Sequence, residues 1–309
     1  MTARIGVALS GGGARGIAHI GVLKVLEELQ VPVHMLAGTS MGGVVAAFYA
    51  AGRSAAEIEG LASSLRLLDL LQRDRNNLGL LGHGKLSDRL REALGGDLTF
   101  DQLKLPLAVI AVDLETGEEV AIREGPVVDA LLATTAVPLI FSPVHWRGRW
   151  LVDGGVLNPC PFGAVREMGA ERVLAVHTSL ALSDPVEGGL PPGGRRAGAT
   201  IRTLLHRSGW ASLIAVTERA FSITSARLVE QHLAEAPPDL MIEVRLCDIG
   251  LFDLDCAPLC LQAGEQAGRY HEPELITLRD GPARLTLGQR WRALFAPRGA
   301  RTSGGGKVR

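Results

Sequence analysis

The opening of the chain constrains the fold more than any other part. Ile5–Leu9 is a short apolar run bounded by a glycine cluster, the pattern of a strand buried on both faces. Over residues 17–29, Ile17, Ile20, Leu23, Leu26 and Leu29 recur about every three positions, with Lys24, Glu27 and Glu28 between them. That spacing predicts a helix with one buried side. Pro32 ends it, and residues 33–37 read as a second strand. Such a β-α-β unit demands parallel strands and a right-handed crossover. The turn after the first strand, in VALSGGGARGIAHIG, contains G-x-G-x-x-G as Gly11, Gly13 and Gly16, the spacing of a dinucleotide loop.

The end of the second strand tests that reading. A dinucleotide loop calls for an acidic residue roughly 20 positions on, where it binds the ribose hydroxyls. Gly38, Thr39 and Ser40 stand there instead, within AGTSMGG. This is G-x-S-x-G: a strand turns sharply into a helix, serine takes the apex, and Gly38 and Gly42 remove side chains that would clash. Ser40 then projects at a helix N-terminus, where the dipole favours a developing alkoxide. In a parallel unit both loops lie at the same end of the sheet, so residues 11–16 face Ser40. Their backbone N–H groups suit a transient oxyanion.

A nucleophilic serine needs a base. His145, His177 and His206 lie downstream, as a hydrolase triad would require. Asp153 has the more telling setting, in WLVDGGVLNPCPF, at a strand end and followed by Gly154 and Gly155. A carboxyl of pKa about 4 in water is a poor base for a hydroxyl, so Asp153 would have to be desolvated. Val152, Val156 and Leu157 offer apolar surroundings.

Together GGGARG, GTSMGG and DGG resemble the patatin-like phospholipase family. The likeness continues through HIGVLKVLEE, ATTAVPLIFSPV and REMGAERVLAV, covering residues 4–180 and more weakly extending to 268. It implies an α/β three-layer sandwich with a mostly parallel central sheet flanked by helices. It also implies a lipid acyl hydrolase with neither metal nor cofactor, whose substrate is a lipid ester. Ser40 would be the nucleophile, Asp153 its base, and N–H groups around Gly11, Gly12 and Gly13 the oxyanion donors. Arg15 fills the family's basic position in the loop, and Gly16, Gly38, Gly42, Gly154 and Gly155 support the motifs. One departure is visible: the family often has two adjacent asparagines after DGG, and here Asn158 is followed by Pro159. Two other readings are a nucleotide-binding protein using residues 11–16 for phosphate, and a regulatory protein with a vestigial hydrolase site.

Of the 309 residues, 47% are hydrophobic, enough for one large α/β domain over residues 1–275. A net charge of −1 argues against a nucleic-acid partner. Cys160, Cys247, Cys256 and Cys260 lack zinc-site or redox spacing and read as reduced thiols. The strand-like run at Ile5 leaves no room for a signal peptide, and residues 127–144, the richest apolar stretch, are broken by Asp129 and two prolines and read as core. A cytoplasmic protein is expected. Residues 276–309 form a tail apart: seven Lys or Arg and no acid follow Gly281. Trp291, Leu294 and Phe295 could share one side of a basic helix that contacts an anionic membrane peripherally; a disordered tail is the alternative. No feature specifies an oligomeric state.

Smaller features complete the reading. Ser54 with Glu57 forms a capping box at the head of a helix over residues 54–71, and a second helix spans residues 86–94. Residues 107–112 and 120–123 form a hairpin capped by Asp113. His19 and His177 read as structural. Residues 72–85 and 183–198 are the segments best suited to act as lids.

Overall fold

A computed structural model describes residues 3–64, 78–179, 211–246 and 249–281. Cys247, His206, residues 72–77 and 183–198 of the expected lids, and the tail from residue 282 lie outside them. Among the described residues eight strands form one sheet. Strand β1 (Ile5–Leu9) lies at its middle, paired in parallel with β2 (Met35–Thr39) on one side and β7 (Arg172–Ser179) on the other. β8 (Leu240–Arg245) extends the parallel set beyond β7.

The fully buried pattern of β1, β2 and β3 (Leu107–Asp113) arises because helices cover both faces. Val7, Leu9, Leu36 and Val109 share one core with α1 (Ala18–Glu28), α2 (Met41–Ala50), α3 (Ala55–Ser64), α4 (Gly84–Leu94) and α5 (Val127–Thr134). Ala8, Ala37, Ala108 and Ala175 face the other way, onto Phe162 and Val165 of α6 (Phe162–Glu167) and Val229 of α7 (Ala211–Glu235). The period-two alternation of strand side chains thus yields three layers.

Helix α1 departs from expectation. Its apolar spacing predicted one buried side, but Ala18 to Leu23, Val25 and Leu26 are all buried. Helix α8 (Ala257–Tyr270) lies across the outer face, and the approach is so close that a Cβ on Gly264 would collide with the Ala18 carbonyl oxygen. Between Ala18 and Leu26 only Lys24 reaches outward, pairing with Glu59 at 3.3 Å and Glu265 at 2.7 Å. The last helix among the described residues, α9 (Glu272–Asp280), crosses residue 275, the expected end of the domain.

Two strands meet end to end along β3. Val109 to Val112 pair antiparallel with β4 (Glu119–Ile122) on one edge. On the opposite edge, β2 pairs with Leu107 to Ile110 and β6 (Arg149–Asp153) with Ala111 to Asp113. β2 and β6 therefore share one edge and run toward each other, Thr39 opposite Ile110 and Asp153 opposite the next residue, Ala111. Their C-terminal ends meet. A short strand missed in the sequence, β5 (Val144–Trp146), pairs with β6 on its far side.

Candidate active site

Ser40 sits at the turn from β2 to α2 with φ 53° and ψ −128°, a conformation that costs a non-glycine residue energy. The surroundings leave no alternative. A Cβ on Gly38 would press on the Gly42 carbonyl and the Gly43 nitrogen, and one on Gly42 would strike the Leu9 and Ser10 carbonyls. Two threonines hold the turn. The Ser40 N–H donates to Thr134 Oγ1 at 2.8 Å, and that hydroxyl donates to the Ile110 carbonyl at 2.5 Å. Thr39 Oγ1 donates to the Asn158 carbonyl at 2.8 Å, tying the elbow to the segment after DGG.

Asp153 lies fully buried at the end of β6. Its Oδ1 accepts the Gly155 N–H at 2.7 Å, whereas Oδ2 accepts no hydrogen bond among the described residues. Burial pushes the carboxyl up to about 7, opposed by the nearby Ser40 hydroxyl and the Gly155 N–H. The Ser40 hydroxyl is thus near enough to favour the carboxylate. The sheet brings Ser40 and Asp153 together.

The glycine loop faces the same point: a Cβ on Gly11 would come within 3.3 Å of Ser40 Cβ. Its three glycines are not equivalent. The Gly11 N–H donates to the Pro159 carbonyl at 2.9 Å, which removes it from the expected set of free donors. The N–H groups of Gly12 and Gly13 have no acceptor among the described residues. Gly13, at φ 54°, has no room for a side chain because the Leu251 backbone lies against it. Asn158 and Pro159, the departure from the family pattern, thus bond through their carbonyls to the elbow and to the loop.

Arg15 is buried, and its Nε donates to the Gly12 carbonyl at 3.3 Å, closing the loop on itself. His19 donates from Nε2 to the Ser10 carbonyl at 2.7 Å, which leaves Nδ1 bare. Burial lowers its pKa to about 4, and that of the buried His177 likewise to about 4. Both rings are therefore neutral at neutral pH. Asp113 Oδ1 accepts the Glu115 N–H at 3.0 Å, so it caps the hairpin as read. Cys160, Cys256 and Cys260 are buried.

A cavity of about 630 Å³ opens beside Ser40 and follows α2, walled by Val44, Phe48, Ile58, Leu90 and Phe252. Arg53 and Glu57, paired at 3.6 Å, also line it. The lining is overwhelmingly apolar. Among the described residues no cluster of His, Cys, Asp or Glu could hold a metal, and no helix is long and apolar enough to cross a membrane.

Thr134 escaped sequence reading as a site residue, although it lies within ATTAVPLIFSPV; a lone hydroxyl at the end of an apolar helix gives no local sign of its partner. Known proteins share this architecture. In fold, the chain is similar to VipD from Legionella pneumophila, with a TM-score of 0.57 at 15% identity over 90% of this chain and 67% of that one. It is 36% identical over 191 residues to an uncharacterised NTE family protein of Mycobacterium tuberculosis, covering 61% of this chain and 52% of that one. Against patatin-like phospholipase domain-containing protein 6 of Mus musculus it is 31% identical over 179 residues, 56% of this chain and 13% of that one. The chain spans about half the length of the mycobacterial relatives it matches, or less. The family described as patatin-like phospholipase matches residues 7–166, which hold the glycine loop, the serine elbow and DGG, and the chain belongs to that family.

Proposed function

We propose that this chain is a serine acyl hydrolase that cleaves fatty-acyl esters of lipids. One observation carries the reading: a buried carboxylate oxygen without a hydrogen-bond partner lies beside a strained serine where two strands meet end to end. Asp153 takes the Ser40 hydroxyl proton as Oγ attacks the ester carbonyl carbon. The N–H groups of Gly12 and Gly13 hold the oxyanion, and the α2 N-terminus favours the same charge. When the intermediate collapses, the C–O bond to the alcohol breaks and Asp153 returns the proton to that oxygen. Water, deprotonated by Asp153, then releases the fatty acid from Ser40. The apolar cavity beside Ser40 suits the acyl chain, and a pKa near 7 suits a base working at neutral pH.

Against a nucleotide site stands the end of β2, where Thr39 is spent on Asn158 and no acid is present. We read the hydrolase unit as running through α9, past the expected boundary at residue 275, because Leu275 and Leu278 lie in its core, and the basic residues 282–309 as its peripheral contact with an anionic lipid surface. Hydrolysis of p-nitrophenyl esters and of a phospholipid, lysophospholipid and glyceride panel tests the reading. Ser40→Ala and Asp153→Asn should each abolish turnover while the circular dichroism of the fold persists. Normal turnover in Asp153→Asn would remove the dyad.

A further inference from the structure

The oxyanion loop is not held by its own glycines and the serine elbow alone. Its outer side rests on the segment after β8, which lies beyond the family match. The Ala14 N–H donates to the Leu251 carbonyl at 2.7 Å, and the same carbonyl excludes any side chain at Gly13. Leu251 is in turn fixed from α7: its N–H donates to Glu218 Oε1 at 2.6 Å. One helical turn on, Ser222 Oγ accepts Arg15 Nη2 at 3.5 Å, so positions i and i+4 of one helix face grip both the loop and its support. Burial lowers the Arg15 pKa, and Glu218 is the foremost charge that offsets this, although Asp253 contributes as well. Phe221, between them, packs on Gly155 beside Asp153.

We propose that Glu218 is a positioning residue for the hydrolase reading given above: through Leu251 and Arg15 it sets the direction of the Gly12 and Gly13 N–H groups. The carboxylate does two things at once. It fixes the Leu251 peptide against which Gly13 and Ala14 are seated, and its charge, which its own burial disfavours, is the foremost one acting on a guanidinium whose Nε grips the Gly12 carbonyl. Rotation of either peptide would turn an N–H away from the oxyanion while leaving the acyl cavity and Ser40 in place. The expected loss therefore falls on kcat and not on KM.

The test compares wild type, Glu218→Gln and Glu218→Ala on one p-nitrophenyl ester, with active sites counted by fluorophosphonate titration. Glutamine keeps an acceptor for the Leu251 N–H but not the charge; alanine removes both. Misplacing an oxyanion donor predicts a fall in kcat per titrated site of about 100-fold for alanine and about 10-fold for glutamine. KM should stay within about two-fold of wild type. Unfolded protein does not titrate, so loss of fold alone would leave kcat per site unchanged, and should alanine not fold, glutamine decides. Unchanged kcat per site in the folded variants would overturn the role of Glu218. A wild type that neither turns over esters nor titrates would instead overturn the hydrolase reading on which it rests.

Discussion

Replacing Asp153 with Asn should make this protein more stable, and the gain should depend on pH. The side chain is fully buried, and its carboxyl is raised from an ordinary 3.8 to about 7 by that burial. A group whose folded pKa is raised binds protons more tightly in the native state. Below pH 3.8 both states are protonated and Asp153 costs the fold nothing; between 3.8 and about 7 the unfolded chain ionises first and stability falls; above 7 the deficit is constant. At 1.36 kcal/mol per pH unit the deficit reaches about 4 kcal/mol at pH 8 and only about 1 kcal/mol at pH 4.5. Asparagine is nearly isosteric, can still accept the Gly155 N–H, and carries no charge to desolvate. Urea denaturation of both proteins at pH 4.5, 6 and 8 measures the difference, and titration of all other groups cancels between them. Asp153→Asn should gain stability progressively with pH. A difference that stays flat, or a variant less stable at pH 8, would refute the claim that wild type holds a desolvated carboxylate.

Other outcomes rest on the same geometry. The proposed dyad requires a deprotonated Asp153, so kcat/KM for ester hydrolysis should rise with pH as a single ionisation near 7; a profile flat from pH 5 to 8 would contradict it. Thr134→Val leaves the Ser40 N–H without an acceptor, at about 1–3 kcal/mol, and should lower kcat/KM by about 10- to 100-fold, with Thr134→Ser restoring most of it in steady-state assays. Lengthening the acyl group from butyrate to decanoate should raise kcat/KM about three- to four-fold per methylene as the chain fills the apolar cavity, at about 0.8 kcal/mol each; no dependence on length would place the chain elsewhere.

The local parts of this site were legible in the sequence, and the reason is geometric. G-x-S-x-G and the glycine loop are short-range devices whose glycines are demanded by backbone only a few residues away, as Gly38 and Gly42 show. The capping box of α3 was equally local, with the Ser54 N–H bonded to Glu57 at 2.8 Å. The meeting of Ser40 with Asp153 is a different matter, since it depends on β6 taking up the edge of β3 where β2 leaves off. No periodicity within either segment encodes that pairing. The burial of α1 on nearly every side was unreadable for the same reason, because it is α8, far along the chain, that covers the outer face. Gly11 shows how a motif can be read too evenly: its N–H looks like those of Gly12 and Gly13 until Pro159, a distant residue, is found to accept it. Glu218 carried no sign at all, one of three glutamates on a long helix.

Whether Asp153 activates Ser40 can be read from the rate at which a fluorophosphonate modifies the protein across pH 5 to 9, with the adduct mapped by mass. A single adduct on Ser40 is expected, forming at a rate that rises through pH about 7 in wild type and falls steeply, without that pH dependence, in Asp153→Asn. An adduct on another residue, or a Ser40 rate indifferent to Asp153, would contradict the dyad.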